Sequence, residues 1–231
     1  MVVLEITADT LVLLSLIAVA IGPSLLLLTY LAKLRRYYWV DAAIGGGGWL
    51  LAYLIRLPLV ALASGVSDVW ARIFILALMA GVFEESIRYV LMRARLKERL
   101  HPHSAAVFGL GWGLVEAFII YCANIPIALA VASVGWENFL PGAVERDIAI
   151  LFHVTAAYLI AVSIVRRNYA YLCLAIILHT IVNVVGVAFL IALKNPWLTE
   201  GILALVVSAV AAATLPASKR AIECSAGEVS K

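Results

Sequence analysis

Apolar residues fall along this chain in long unbroken runs, not in the helical or alternating periodicities of half-buried soluble elements. Seven such runs, at about 11–31, 40–63, 69–92, 105–134, 148–165, 169–193 and 201–217, are separated by short polar stretches. A helix needs about 20 apolar residues to cross the hydrocarbon core of a bilayer. Lipid offers a crossing backbone no hydrogen-bond partner, so a lone segment must be helical. Each run therefore predicts a membrane-spanning helix. The pattern specifies an all-α, polytopic membrane protein: seven transmembrane helices in one domain, with 218–231 as a short tail. The fourth run is longer than a crossing requires. Pro126 within it predicts a kink, because proline lacks an N–H and clashes with the preceding turn, or marks a tilted or partly interfacial stretch.

Composition agrees and narrows the classes. The 231 residues are 65% hydrophobic and only 13% charged, against about 25% charged in soluble domains. Seven spans consume about 150 positions, which leaves loops and no second, soluble domain. The first run follows Glu5 and Asp9 without a basic segment or a small-residue cleavage site, so it is expected to be a span and not a cleaved signal. Cys122, Cys173 and Cys224 are too scattered for a disulfide framework or a CxxC metal site.

The net charge of +3 is explained by placement. Lys33, Arg35 and Arg36 follow the first run. Arg93, Arg95, Lys97 and Arg99 follow the third, Arg166 and Arg167 the fifth, and Lys219 and Arg220 the seventh. The alternate loops hold only Arg146 and Lys194, beside Asp68, Glu137, Glu145, Asp147 and Glu200. By the positive-inside rule the N-terminus lies outside and the C-terminus in the cytoplasm. That distribution fits a multi-pass protein of the cell membrane in contact with lipid, and no nucleic-acid partner is implied.

Charges at membrane depth cost at least a few kcal/mol each and call for a reason. Arg56 lies in the second run, Glu84, Glu85 and Arg88 in the third, Glu116 in the fourth, His153 in the fifth, and His179 with Asn183 in the sixth. Counted from the basic ends, Glu85, Glu116, His153 and His179 fall roughly eight to thirteen residues deep, in one slab at 1.5 Å per residue. Four helices thus bring acids and imidazoles to one level. Glu84 and Arg88 are i,i+4 and Glu85 and Arg88 are i,i+3, so one glutamate can pair with the arginine while the other turns inward. Arg56 reads as a buried partner for one of the glutamates. His179 and Asn183 share a face.

A glutamate in such a site can take a proton from water, while histidines and an asparagine stabilise an oxyanion. Glu85, Glu116, His153 and His179 also make a donor set suited to zinc. Spacing alone leaves open whether a metal is used. Such pairs can equally serve as hydrogen-bonding glue between helices, worth about 1 kcal/mol each.

Glu84-Glu85-Ser86-Ile87-Arg88 resembles the E-E-x-x-x-R motif of the CAAX-protease-like superfamily of intramembrane proteases, and His179 with Asn183 resembles its H-x-x-x-N/D motif. Phe108-Gly109-Leu110-Gly111-Trp112-Gly113-Leu114-Val115-Glu116 is similar to the glycine-rich segment of the PrsW/YhfC branch, described as intramembrane metalloproteases. Glu145-Arg146 and Phe152-His153 fit the same branch. Gly22-Pro23, the spacing of His153 and His179, and Asn195-Pro196-Trp197 resemble the anterior-pharynx-defective (APH) subunit of γ-secretase, a seven-span scaffold.

The resemblance implies that Glu84 or Glu85 activates water with Arg88 as partner. It further implies that His179 and Asn183 bind the oxyanion, or His179 a metal, and that His153 and Glu116 complete the site. Trp112 departs from the pattern, standing where the proteases carry a histidine. Either Glu116, one turn on, takes that place or the site has lost its chemistry. The expected activity is intramembrane endopeptidase action on a membrane protein or peptide, with or without zinc. The alternative is a scaffold for a partner membrane protease. From the depth of the site, access is expected from the cytoplasmic half.

Overall fold

The computed structural model of the protein describes residues 8–33, 35–96, 100–131 and 135–229. Lys97, Arg99 and the end of the fourth run at 132–134 lie outside them. Every described element is a helix: α1 (Ala8–Ala32), α2 (Arg36–Ala63), α3 (Val69–Arg95), α4 (Pro102–Ala117), α5 (Ile125–Val131), α6 (Leu140–Val165), α7 (Ala170–Leu193) and α8 (Pro196–Val229). A π turn at Phe118–Cys122 and a 3₁₀ turn at Trp136–Phe139 join them. Six stretches are long and apolar enough to cross a membrane: Thr10–Ala32, Arg36–Ala63, Pro102–Val131, Trp136–Val165, Ala170–Leu193 and Pro196–Cys224. The sequence pattern predicts seven. The one absent is α3, at 27 residues long enough to cross, but carrying Arg72, Glu84, Glu85 and Arg88.

Local chemistry sets the ends. The Asp68 side chain accepts from the Ala71 N–H at 2.7 Å and starts α3. His101 and Ser104 form a reciprocal capping box around Pro102 at the start of α4. The kink expected at Pro126 is instead a break upstream of it. The π turn displaces carbonyls from the helical ladder, and Asn124 Nδ2 donates to two of them, Ile119 O at 2.8 Å and Ile120 O at 3.2 Å. Pro126 then occupies the first turn of α5, where its missing N–H is harmless. The segment expected as a tail from 218 continues α8 to Val229, and Ala221 and Ile222 are buried in the main apolar cluster.

The long helix α6 is the axis of the bundle. It buries 72% of its most apolar stretch, against 28% or less for the other five. Around it pack α4, α8, α1, α7 and α3, while α2 closes on α4 and α3, and α3 on α7. At the α2–α4 crossing the backbones nearly touch: a Cβ on Gly111 would overlap the Ala42 carbonyl, and one on Gly45 the Phe108 carbonyl. Small residues at helix interfaces allow this approach.

The ends carrying Arg35, Arg36, Arg93, Arg95, Arg166 and Arg167 lie together. His103 Nε2 donates to Leu31 O at 2.8 Å, Tyr38 packs on His103, and Tyr89 packs on Tyr169. This is the basic end of the bundle. The short turns at 64–68 and 194–195 mark the opposite end.

Candidate active site

Adjacent helical residues point about 100° apart, and α3 uses this to send its two glutamates to different partners. Glu85 turns into the protein and is fully buried. Arg88 Nη1 donates to both of its oxygens, at 2.9 and 2.8 Å, and His179 Nδ1 lies 2.7 Å from Oε1. Glu84 turns toward α2 and α4. Arg56 Nη1 is 2.9 Å from its Oε1, and Trp112 Nε1 donates to Oε2 at 3.1 Å. The same Glu84 oxygen lies 4.0 Å from His179 Nε2. The Arg88 guanidinium stacks over the Trp112 ring at 4.4 Å and reaches His153 Nδ1 with Nη2 at 3.0 Å. His153 Nε2 continues the chain to Glu116 Oε2 at 2.7 Å, and Arg146 Nη1 meets the other Glu116 oxygen at 3.4 Å. Arg146 also pairs with Glu145.

Directionality places the protons. A guanidinium only donates, so His153 Nδ1 accepts from Arg88 and its proton sits on Nε2, directed at Glu116. An ionised carboxylate only accepts, so His179 donates from Nδ1 to Glu85, and in the neutral ring the lone pair is on Nε2. His179 Nε2 and the Glu84 oxygen face each other across 4.0 Å, two Lewis bases when the ring is neutral.

A cavity of about 630 Å³ opens above this cluster, within the usual range of ligand clefts, about 300–1,000 Å³. Glu84, Glu116, His153, His179 and Asn183 line it, with Arg56 and Arg146. Glu85, Arg88 and Trp112 stand behind them. All the residues picked from the sequence except Asn183 thus fall in one connected network, and Asn183 lies on the cavity wall one turn beyond His179. The metal set changes in two members, Glu85 giving way to Glu84 and His179 standing outside the closest group. Glu84, not Glu85, offers an oxygen that lies with Glu116 and His153, one ligand atom from each, within 4.8 Å of one another. Glu85 is turned away because Arg88 and His179 hold both its oxygens.

The donor chemistry fits a divalent metal. Two imidazoles with carboxylates suit zinc, and His179 has its second nitrogen bonded to a carboxylate, as metal-ligating histidines usually do. His153 would have to release its Nε2 proton to join. Two contributors escaped the sequence reading. Trp112 reads there as a missing ligand and is a buried donor to Glu84. Arg146 reads as a loop residue, yet it lies two turns before His153 on α6 and so on the same face; that i,i+7 spacing was the available signal.

Apolar helices long enough to cross a bilayer, folded around a buried centre of glutamate, arginine and histidine, define a multi-pass membrane protein with a polar intramembrane site. Residues 15–134 and 121–203 match the family described as YhfC intramembrane metalloprotease, and the chain belongs to that family. A relative from Bacillus subtilis (strain 168), "Uncharacterized membrane protein YhfC", is 28% identical over 141 residues, covering 48% of this chain and 55% of the relative. The chain thus spans about half the length of the curated relative it matches.

Proposed function

We propose that the protein is an intramembrane endopeptidase that hydrolyses a peptide bond in a membrane-embedded or membrane-adjacent segment. The family supports this reading. The observation that carries it is the division of labour on α3: Glu85 is consumed by Arg88 and His179, while Glu84 faces the cavity. Glu84 takes the proton of the attacking water and returns it to the leaving amine. Trp112 and Arg56 hold its carboxylate in place. Asn183 is the amide donor for the oxyanion, since His179 has its N–H committed to Glu85. Zinc would be held beside Glu84 by Glu116 and His153, with His179 Nε2, 4.0 Å from the Glu84 oxygen, as a further donor, and would polarise the scissile carbonyl and activate the water.

The topology proposed is seven crossings of the cell membrane, N-terminus outside and C-terminus cytoplasmic, with α3 as the crossing whose charges are met inside the bundle. The motif resemblance to the CAAX-protease-like superfamily points the same way.

A second reading, a scaffold like the APH subunit of γ-secretase that holds a partner protease, is favoured by one observation. Each site glutamate has an arginine neighbour, Arg56 for Glu84, Arg88 for Glu85 and Arg146 for Glu116, as helix glue requires. The deciding experiment compares membrane-protein N-termini by mass spectrometry in cells making wild type or Glu84→Gln at matched abundance. New termini near membrane segments, present only with wild type, support the peptidase. Identical termini together with a co-purifying membrane protease support the scaffold.

A further inference from the structure

From the placement of the cavity, and resting on the endopeptidase reading, we infer that the substrate segment reaches Glu84 from the end of the bundle opposite the basic one, as a mainly apolar stretch of chain. In the proposed topology that end is the outer face. The route runs against the expectation of cytoplasmic access.

Helix direction gives the position of every wall residue. The α2 wall, from Tyr53 to Val60, belongs to the half of α2 remote from Arg36, and the α3 wall begins at Ile73, next to the 64–68 turn. The α7 wall runs from His179 to Leu190, away from the basic end, and the α6 wall runs from His153 back to Gly142. Eleven residues separate His179 from Leu190, and eleven separate Ile73 from Glu84 (190 − 179 and 84 − 73). At 1.5 Å per residue the cavity therefore reaches about 16 Å beyond the charged cluster, all toward one end.

The cluster lies nearer the basic end along α3, eleven residues from Arg95 against fifteen from Val69 (95 − 84 and 84 − 69). That shorter path is closed. Trp49, Met92, Leu96, Phe108, Ile160 and Ile222, each with no exposed surface, fill the space between the cluster and the basic loops. At the other end the wall is not sealed: Leu57, Val187 and Leu190 line the cavity and are 38%, 43% and 45% exposed.

The occupant follows from the lining. Along α7 the wall residues beyond Asn183 are Gly186, Val187 and Leu190, and α2 faces them with Leu57 and Val60. The charged wall residues on this side of Glu84, namely Glu145 and Arg146 on α6 and Glu200 on α8, stand on one flank only, and the α2, α3 and α7 walls beyond the cluster are apolar. An apolar segment is desolvated at little cost and arrives with its peptide groups as the only polar atoms the site can engage.

Cysteine accessibility tests the route without requiring turnover. In a background lacking Cys122, Cys173 and Cys224, single cysteines are placed by Gly186→Cys, where a Cβ meets nothing closer than Leu203 at 3.8 Å, and by Leu190→Cys. Cys173 kept alone reports the basic end, and Ser64→Cys reports the opposite end. Sealed vesicles of known orientation are treated on one side with a membrane-impermeant sulfonated maleimide. Positions 186 and 190 should label from the Ser64→Cys side at least tenfold faster than from the Cys173 side. Labelling from the Cys173 side, or only by a lipid-soluble maleimide, overturns the route. Leu190→Cys, at the rim, serves if Gly186→Cys does not fold. Labelling as expected in a protein that cleaves nothing removes the peptidase reading and leaves the route; the reverse pair of results does the opposite.

Discussion

Arg88 donates to His153 Nδ1 across 3.0 Å and thereby decides which nitrogen of that ring carries a proton. The same guanidinium clamps both oxygens of Glu85 through Nη1, so one α3 side chain fixes an acid on its own helix and an imidazole on α6. Replacing Arg88 by methionine leaves the Glu85 carboxylate buried without its cation, a change that costs about 3–5 kcal/mol for buried pairs. Thermal unfolding in detergent should register the loss. Histidine ¹⁵N NMR should show His153 as the Nε2–H tautomer in wild type and as a mixture in Arg88→Lys. An Nδ1–H tautomer in wild type contradicts the assigned network.

The two glutamates of α3 should separate cleanly by mutation. Glu84→Gln keeps the shape and removes the base, so cleavage should fall by about 10²–10⁴-fold, the usual weight of a general base, with a smaller drop in unfolding temperature than Glu85→Gln, because Arg56 keeps some exposure. Glu85→Gln should mainly destabilise the fold, because it leaves Arg88 uncompensated at a site with no exposure. Measuring activity and unfolding temperature on both variants checks this; equal effects would mean that the two carboxylates do not have different jobs.

Trp112→Phe keeps an aromatic face under Arg88 and deletes the N–H that meets Glu84 at 3.1 Å. A hydrogen bond to a charged group is worth about 1.5–3 kcal/mol, which corresponds to about 10–150-fold in rate if it acts on the positioned base. The single-turnover rate should fall by that factor with binding of the substrate segment unchanged. A rate equal to wild type would reduce Trp112 to packing.

Metal binding is expected to show in stability as well as content. Purified protein should carry about one equivalent of zinc by elemental analysis, and both His179→Ala and Glu116→Gln should reduce it. A ligand that binds only the folded state at 100 times its Kd adds about 2.7 kcal/mol, so chelation should lower the unfolding temperature of wild type and leave His179→Ala unmoved. Zinc retained in full by both variants would place any metal elsewhere.

Gly111→Ala tests the α2–α4 contact apart from chemistry. The added methyl would meet the backbone of Ala42 and not a flexible side chain, so the helices must part. Overpacking of this kind costs about 1–3 kcal/mol, measurable as a lower unfolding temperature. Gly47→Ala, with open space at its Cβ, is the control and should unfold as wild type does.

The helical architecture could be read from the sequence because crossing lipid demands apolar length, which a linear pattern records directly. The break at Phe118–Ala123 could not, since it depends on Asn124 reaching back to bond displaced carbonyls, and nothing in hydropathy announces that. The site residues were visible as charges where lipid was expected. Which of Glu84 and Glu85 faces the cavity was not, because neighbouring positions differ only by a rotation that packing decides. The partner of Trp112 was hidden for a related reason. A tryptophan in a ligand's place signals loss when side chains are considered one at a time, and becomes a donor only once Glu84 stands opposite it. The direction of the cavity was hidden altogether, since it rests on Ile222 and the other plug residues, which come from five helices far apart in sequence.

The Arg56–Glu84 pair also bears on how the chain enters the bilayer. Taken alone, α3 brings two negative charges and one positive into the buried centre, and it is the long helix that fails the apolar criterion for crossing. Its predecessor α2 carries the missing positive charge, and only the 64–68 turn separates the two helices. Joined, Arg56, Glu84, Glu85 and Arg88 sum to zero. In the proposed seven-crossing topology the α2–α3 hairpin would therefore carry a charge-balanced centre into the bilayer, and Arg56→Ala should lower the amount of membrane-inserted protein before it alters the site.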